Sequence, residues 1–402
     1  MNADFVRHLA WTSDHPLGLE IERAEGPFLV LTDGRKLIDF ISGIAVSSLG
    51  HRHPSVLRAI RDQLDRHLHV MVYGEFIQAP QVRLAKQLAS VLPSTLDSVY
   101  FTMSGTEANE GALKLAKKYT GRGRMVAFEQ SFHGDTHGSL SVTGRRVYQD
   151  PFRPLLPGVT FLPFGDFEAL EHIDDTFACA IAEPIQGEGG MRLPPRGWFR
   201  ALRARCTAAG ALLVLDEIQT GFGRTGRLFA FEHEGIVPDI LTLAKAMGGG
   251  MPLGAFVAST EVMQSLRRDP PLSHVTTFGG HPVSCVAASA TLQVLQDEGL
   301  VERALWVEQR VRTKLKHTLI TDLRGRGAML GMDLINTRVA NQVVEHCLQR
   351  RVLLGWTLHS GTVIRIAPPL NIPEDTLDDA LEIITEVLDV VQAMDAYGLR
   401  NG

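Results

Sequence analysis

Ala211-Leu-Leu-Val-Leu-Asp-Glu-Ile-Gln-Thr-Gly-Phe-Gly-Arg-Thr-Gly226 and Asp239-Ile-Leu-Thr-Leu-Ala-Lys-Ala-Met-Gly-Gly-Gly-Met-Pro-Leu-Gly254 place Asp216 and Lys245 just past two short apolar runs. Each run reads as a buried parallel strand whose carboxyl end opens into the ligand crevice of an α/β sheet. A carboxylate in that crevice can keep a pyridine nitrogen protonated. A lysine held there, partly desolvated and lowered in pKa, can condense with an aldehyde cofactor. Read singly, Asp216 is an ordinary polar strand end and Lys245 a solvated helix-start lysine. Read together they favour one crevice, because Gln219 lies about one helical turn from Asp216 and Gly248-Gly-Gly250 lets backbone approach a ligand closely.

Outward from this pair, the region from about Pro54 to Ala258 alternates helices and strands. Asp97–Thr102, Arg124–Phe128, Phe177–Ala182, Ala211–Leu215 and Ile240–Leu243 read as strands, and an apolar strand continues from Gly254. Helical stretches such as Glu107–Tyr119 and Gly197–Ala209 separate them, the pattern of a mostly parallel sheet covered on both faces. Phe28–Asp39 reads as a peripheral hairpin turning at Asp33-Gly34. The prolines of Arg267-Arg-Asp-Pro-Pro-Leu-Ser273 mark a loop, and beyond Pro282 the chain turns helical (Val283–Gln296, Val301–His317) before mixing strands and helices to about Met394. The expected division is an N-terminal segment 1–50 joining a small domain, a large cofactor-binding domain 51–282, and a C-terminal small domain 283–402.

The chain has 402 residues, 45% hydrophobic and 21% charged, enough for a substantial core, and carries a formal net charge of −5. That charge, with no basic run, argues against nucleic acid as a partner. Cys179, Cys206, Cys285 and Cys347 are scattered without a Cys-x-x-Cys pair, which suggests a reducing compartment. No stretch reads as a signal peptide or a membrane span, so a cytoplasmic protein is expected.

Met103-Ser-Gly-Thr-Glu-Ala-Asn109 follows a strand and opens a helix, so backbone N–H groups, a hydroxyl and the helix dipole can converge on a phosphate. Taken alone, an ordinary helix cap is the better reading. Ser131-Phe-His-Gly134 also follows a strand; Phe132 either stacks on an aromatic cofactor or is a core residue beside a turn. His51 and His53 alternate on an extended segment without other clustered ligands, and no metal site is expected. A nicotinamide dehydrogenase would need a Gly-x-Gly-x-x-Gly turn opening a helix, which Gly248–Gly254 does not supply.

These motifs together resemble the class III (subgroup II) aminotransferases, the group that includes the ornithine, acetylornithine and 4-aminobutyrate enzymes. The likeness is carried by Gly50-His-Arg-His-Pro54, Ser104-Gly-Thr-Glu-Ala-Asn109, Ser131-Phe-His-Gly134, Glu183-Pro-Ile-Gln-Gly-Glu-Gly-Gly190, Asp216–Gly226, Ala244-Lys-Ala-Met-Gly-Gly-Gly250 and Arg365-Ile-Ala-Pro-Pro-Leu370. The resemblance implies pyridoxal phosphate fold type I, pyridoxal 5'-phosphate as cofactor, and ping-pong transfer of an amino group from a small-molecule donor to an oxo acid. Lys245 would form the Schiff base and carry the proton, Asp216 would pair with the pyridinium nitrogen, Gln219 would bond the ring hydroxyl and Phe132 would stack on the ring. Ser104, Gly105, Thr106 and His133 complete the expected cofactor set. Thr277, in His274-Val-Thr-Thr-Phe-Gly-Gly280, would reach a neighbour's phosphate, which implies a homodimer with the active site at the subunit interface. Glu188 and Arg365 would form a switch: paired while the amine donor is bound, parted so that the arginine grips a carboxylate of 2-oxoglutarate. A permanent structural ion pair is the alternative.

Three features bear on the donor. Asp135 stands where the ornithine and acetylornithine enzymes usually have arginine, so it either faces a donor's ammonium group or caps a turn. The Phe-His-Gly-Asp-Thr form resembles the diaminopelargonate branch, yet that branch's paired tryptophans are absent around Ser47-Ser48. Tyr73 is a candidate donor-pocket residue, and His281 stands where relatives commonly have asparagine. An aminomutase, racemase or decarboxylase of the same family would use the same cofactor residues.

Overall fold

After a short helix, Ala3–His8, the expected hairpin follows in the computed structural model, which describes residues 2–72 and 74–398. Strands β1 (Ile21–Glu25), β2 (Phe28–Leu31) and β3 (Lys36–Asp39) form an antiparallel meander. Its β2–β3 turn is wider than a two-residue hairpin. Of Asp33 and Gly34 only the glycine is left-handed, at φ 84°, and the Leu31 N–H closes the loop on the Arg35 carbonyl at 2.8 Å.

The chain then passes through a turn that L-residues resist. Ser42, Gly43, Ile44 and Ala45 take φ of 49°, 60°, 62° and 63°, one turn of left-handed helix, at about 1–2 kcal/mol for each residue with a Cβ. Local bonds hold it. Asp39 Oδ1 accepts the N–H groups of Ile41 and Ser42 at 2.8 Å each, and the Ser42 hydroxyl donates to the Ala367 carbonyl at 2.7 Å.

Strands β4 (Ser98–Thr102), β5 (Arg124–Phe128), β6 (Val159–Leu162), β7 (Phe177–Ala182), β8 (Leu212–Asp216), β9 (Ile240–Leu243) and β10 (Gly254–Ala258) form a seven-stranded sheet in the order β4-β10-β9-β8-β7-β5-β6. Only β10 runs against its neighbours. Strands β7 to β10 are buried at every position, because both faces are covered. Ala180, Ala182, Leu213 and Leu215 pack into one core with Trp198 and Leu202 of helix Trp198–Ala209. Their alternates Cys179, Ile181, Leu212 and Val214 pack into a second core with Ala112 and Leu113 of helix Gly105–Thr120. That helix comes close enough to the sheet that a Cβ on Gly111 would lie 2.2 Å from Phe256.

Parallel strands bring their carboxyl ends to one edge. The residues after β4, β5, β7, β8 and β9 therefore share that edge, and reversed β10 begins there, at Gly254 opposite Thr102. Strand β6 lies outside the six expected from the pattern: it is a four-residue edge strand, only half-buried over most of its length.

The remaining strands are β11 (Ile320–Arg326), β12 (Met329–Leu334), β13 (Val352–Leu353), β14 (Gly355–Thr357) and β15 (Ser360–Ile366). An antiparallel sheet runs β11-β12-β15-β14, while β13 pairs parallel with β3 and so ties the C-terminal part to the N-terminal meander. Residues 268–281, with the expected proline loop, carry no helix or strand before helix Pro282–Asp297. The ring of His281 stacks on His69, with centroids 5.8 Å apart. Among the described residues no helix is long and apolar enough to cross a membrane, and no cluster of three or more His, Cys, Asp or Glu side chains is placed to hold a metal. His51 instead meets Asp39 Oδ2 at 2.9 Å.

Candidate active site

At the shared strand edge lies a cavity of about 770 Å³ lined by Ser104, Gly105, Thr106, Phe132, His133, Asp135, Asp216, Gln219 and Lys245, with Val46, Met103, Glu183, Ile218, Met251 and Leu253 among the rest of its wall. Residues far apart in sequence are thus brought together as the topology requires.

Asp216 ends β8 and is 4% exposed. His133 Nδ1 and Asn109 Nδ2 meet its Oδ2 at 2.7 and 2.8 Å, and the Ile218 N–H donates to its Oδ1 at 3.1 Å. Asn109 is in turn fixed by donating to the His133 carbonyl at 2.7 Å and accepting from the Thr242 hydroxyl at 2.8 Å. Asn109 stands in the quoted motif, but its role was not foreseen. The signal lay in its position, a polar residue within the apolar stripe of Ala108, Ala112, Leu113 and Ala116.

Lys245 opens a short 3-10 turn after β9 and sits at φ 47°, the kind of strain that persists where surroundings over-determine a residue. Its amine has no hydrogen-bond partner among the described residues and opens onto the cavity, so the side chain is deep yet partly accessible. Burial lowers the pKa of this ammonium from its usual value; Glu188, Asp216 and Glu183 oppose the shift and Arg365 adds to it. That shift favours the neutral, nucleophilic form of the amine.

Helix Gly105–Thr120 points its N-terminus at the same cavity. Ser104 Oγ accepts the Glu107 N–H at 3.3 Å and Glu107 Oε2 accepts the Met103 N–H at 2.7 Å, so the serine is occupied as a cap. The first-turn N–H groups of Gly105 and Thr106 remain for an anion. The Thr106 hydroxyl is oriented by Thr136 Oγ1 at 2.8 Å. Space is reserved around them: a Cβ on Gly134 would lie 2.3 Å from Thr106 Oγ1, and one on Gly105 would lie 2.8 Å from Ile218.

Glu183 lines the cavity from the end of β7. Its two carboxylate oxygens accept the N–H groups of Phe132 at 2.9 Å and Gly187 at 3.0 Å, and burial pushes it up to about 7. Behind Gln219 lies the ion pair. Arg365 Nη2 donates to Glu188 Oε1 at 2.5 Å, both side chains under a tenth exposed, and Gln219 Nε2 reaches the same oxygen at 3.3 Å. Burial opposes ionisation of Glu188, but the charge and hydrogen bond of Arg365, helped by the Leu358 N–H, hold its carboxyl below the usual range.

Thr277 is exposed and lies away from this chain's cavity wall, and Asp135 is exposed at the rim. Tyr73 lies outside the described residues.

A lysine amine, a buried carboxylate carried by two side-chain donors, an aromatic ring and a helix N-terminus on one cavity match the aldehyde, ring nitrogen, ring face and phosphate of a pyridoxal phosphate. His133 Nε2, buried without a partner beside them, is a further polar group turned to this region.

Residues 10–388 match the family described as aminotransferase class-III. The chain is 42% identical over 364 residues to the acetylornithine aminotransferase of Methanopyrus kandleri, covering 89% of this chain and 90% of that one. Identity is also 42%, over 362 residues, with that of Methanothermobacter thermautotrophicus, with the same coverage. Among solved structures, the ornithine aminotransferase of Toxoplasma gondii superposes with a TM-score of 0.90 at 30% identity, covering 96% of this chain and 93% of that one. An (S)-enantioselective omega-transaminase from Thermomicrobium roseum gives 0.88 at 29% identity, covering 96% and 97%. With matches of this length on a shared fold type I architecture, the chain belongs to the class-III aminotransferases, enzymes that work with pyridoxal 5'-phosphate.

Proposed function

We propose that this aminotransferase takes a terminal amino group from an amine or diamino acid donor and delivers it to 2-oxoglutarate in two alternating half-reactions. The observation that carries this reading is the buried Glu188–Arg365 pair, which contacts the cavity-wall residue Gln219. While paired, the guanidinium is neutralised and a donor presents its amine to the site. Once Glu188 turns aside, Arg365 offers a bidentate fork to a carboxylate of a dicarboxylic oxo acid. The acetylornithine and ornithine enzymes among the relatives support a terminal amine as the group transferred.

Bound pyridoxal 5'-phosphate supplies the aldehyde that captures the amine and the ring that withdraws electrons from the reacting carbon. Lys245 Nζ would hold the aldehyde at rest and move the proton to and from the donor carbon. Asp216 would keep the ring nitrogen protonated, with Asn109 and His133 directing its Oδ2. Gln219 would bond the ring hydroxyl, Phe132 would cover one ring face, and Gly105 and Thr106, beside the Ser104 cap, would hold the phosphate.

Thr277 would complete the phosphate site of a second copy, making the enzyme a homodimer. Its exposure supports this, as does an apolar surface around it: Met71, Phe76 and Ile77 are exposed on one segment, Leu272, Val275 and Phe278 on the other. His69 and Phe278 join the two segments with rings 4.8 Å apart. Residues 51–282 would form the cofactor domain and 1–50 with 283–402 the small domain. The four cysteines, buried and unpaired, support a cytoplasmic site of action.

Single-turnover kinetics test the reading. Arg365→Ala should slow the 2-oxoglutarate half-reaction by at least about 10-fold, the loss of a buried charge-assisted contact, and spare a donor half-reaction with a simple terminal amine. An acceptor half-reaction as fast as wild type would remove 2-oxoglutarate from the proposal.

A further inference from the structure

The β14–β15 hairpin grips both oxygens of Glu188. Arg365, on β15, donates to Oε1, while the hairpin tip donates the Leu358 N–H to Oε2 at 2.8 Å. The His359 N–H adds a bond to the Glu188 backbone carbonyl at 3.0 Å. The arginine is therefore one of two anchors, and the second is a backbone group whose position depends on what holds the tip.

That support comes from the cofactor domain. The Tyr148 hydroxyl donates to the Leu358 carbonyl at 2.9 Å, Arg145 Nη1 donates to the His359 carbonyl, and His359 Nδ1 meets the Gln130 carbonyl at 3.0 Å. The Tyr148 ring also stacks on His359, with centroids 5.2 Å apart and planes 25° apart. His359 is 5% exposed, and burial holds its pKa below the usual value, which favours the neutral ring; the Gln130 carbonyl can only accept, so Nδ1–H is the donor. It adds no charge beside Glu188. Its effect on the carboxylate is positional.

We propose that Tyr148 and His359 are positioning residues that fix the hairpin tip, and through the Leu358 N–H set how readily Glu188 leaves Arg365. The inference rests on the acceptor reading given above. Its content is that the balance between the two half-reactions is tuned by contacts outside the cavity wall. With the tip slack, Glu188 loses its second anchor, Arg365 is exposed more of the time, dicarboxylates bind more tightly and terminal-amine donors less well.

Glutarate, a dicarboxylate with no carbonyl to accept the amino group, is the probe, titrated against the holoenzyme and its Tyr148→Phe, His359→Ala and His359→Asn variants. Both half-reactions are followed separately with N-acetylornithine or ornithine and with 2-oxoglutarate. Tyr148→Phe keeps the stacked ring and removes one hydrogen bond, so it should tighten glutarate roughly 3- to 10-fold and lower donor kcat/KM by a similar factor. His359→Ala should do the same, and His359→Asn, which retains an N–H for Gln130, should restore wild-type behaviour. A parallel fall in both half-reactions with unchanged glutarate affinity would overturn the inference, as would failure of the asparagine to restore. If Arg365→Ala binds glutarate as tightly as wild type, the acceptor reading itself falls and this inference goes with it.

Discussion

Replacing Asn109 with leucine removes hydrogen bonding while keeping the branched side-chain skeleton, so it probes what holds Asp216. Three bonds disappear: one to the Asp216 carboxylate at 2.8 Å, one to the His133 carbonyl at 2.7 Å and one from Thr242 at 2.8 Å. A bond to a charged group contributes about 1.5–3 kcal/mol and a neutral one about 0.5–1.5, so the gross loss is roughly 2.5–6 kcal/mol. The leucine's apolar surface returns part of this, leaving about 3 kcal/mol, a large share of a typical stability of about 5–15 kcal/mol. Urea unfolding of the cofactor-free protein should show that loss. Retention of pyridoxal 5'-phosphate should weaken as well, since Asp216 Oδ2 would be directed by His133 alone. A stability loss under about 1 kcal/mol with cofactor retention unchanged would refute the reasoning, because Asp216 would then be held without Asn109.

Three further outcomes are expected. Glu183 has an ordinary value of 4.5 that burial raises to about 7, so the folded protein keeps a proton that the unfolded chain has released; its contribution is intact below pH 4.5 and is lost as pH rises through about 7. Glu183→Gln should flatten that part of the pH dependence of the urea midpoint, and an unchanged slope would remove the assignment. Gly111→Ala should cost about 1–3 kcal/mol through the contact with Phe256, partly recovered by adding Phe256→Leu; additive losses would show that the two do not collide. Asp135→Arg at the cavity rim should shift donor preference about 5-fold from diamines toward carboxylate-bearing donors, as expected for one exposed charge, and an identical profile across a donor panel would rule out the contact.

Much of this architecture is legible in the chain because buried parallel strands leave a clear record, near-continuous apolar runs that end next to a polar residue. Strands β7, β8 and β9 and the positions of Asp216 and Lys245 follow from that alone. Edge strand β6 does not, since Val159-Thr-Phe-Leu162 is short and half-buried and has neither a long apolar run nor clean alternation. The reversal of β10 is a property of connection, and no residue type records it. Of the residues that line the cavity, Ser104, Phe132, Asp216 and Lys245 are legible from their motifs, whereas Asn109 is noticeable only by its place on a helix face. The grip of Leu358 on Glu188 was not visible at all, because a backbone N–H has no residue-specific signature.

The left-handed turn at Ser42–Ala45 bears on how this enzyme can change its substrate range. Val46 directly follows it, lines the cavity, and donates its N–H to the Ser42 carbonyl at 2.8 Å. A wall mounted on ordinary loop backbone drifts when its side chain is exchanged. Here the backbone is pinned from Asp39 on one side and Ala367 on the other, so exchanges at position 46 are expected to alter the shape of the cavity while the main chain stays in place. New donors could be admitted or refused there one side chain at a time, with Lys245 and Asp216 undisturbed across the cavity.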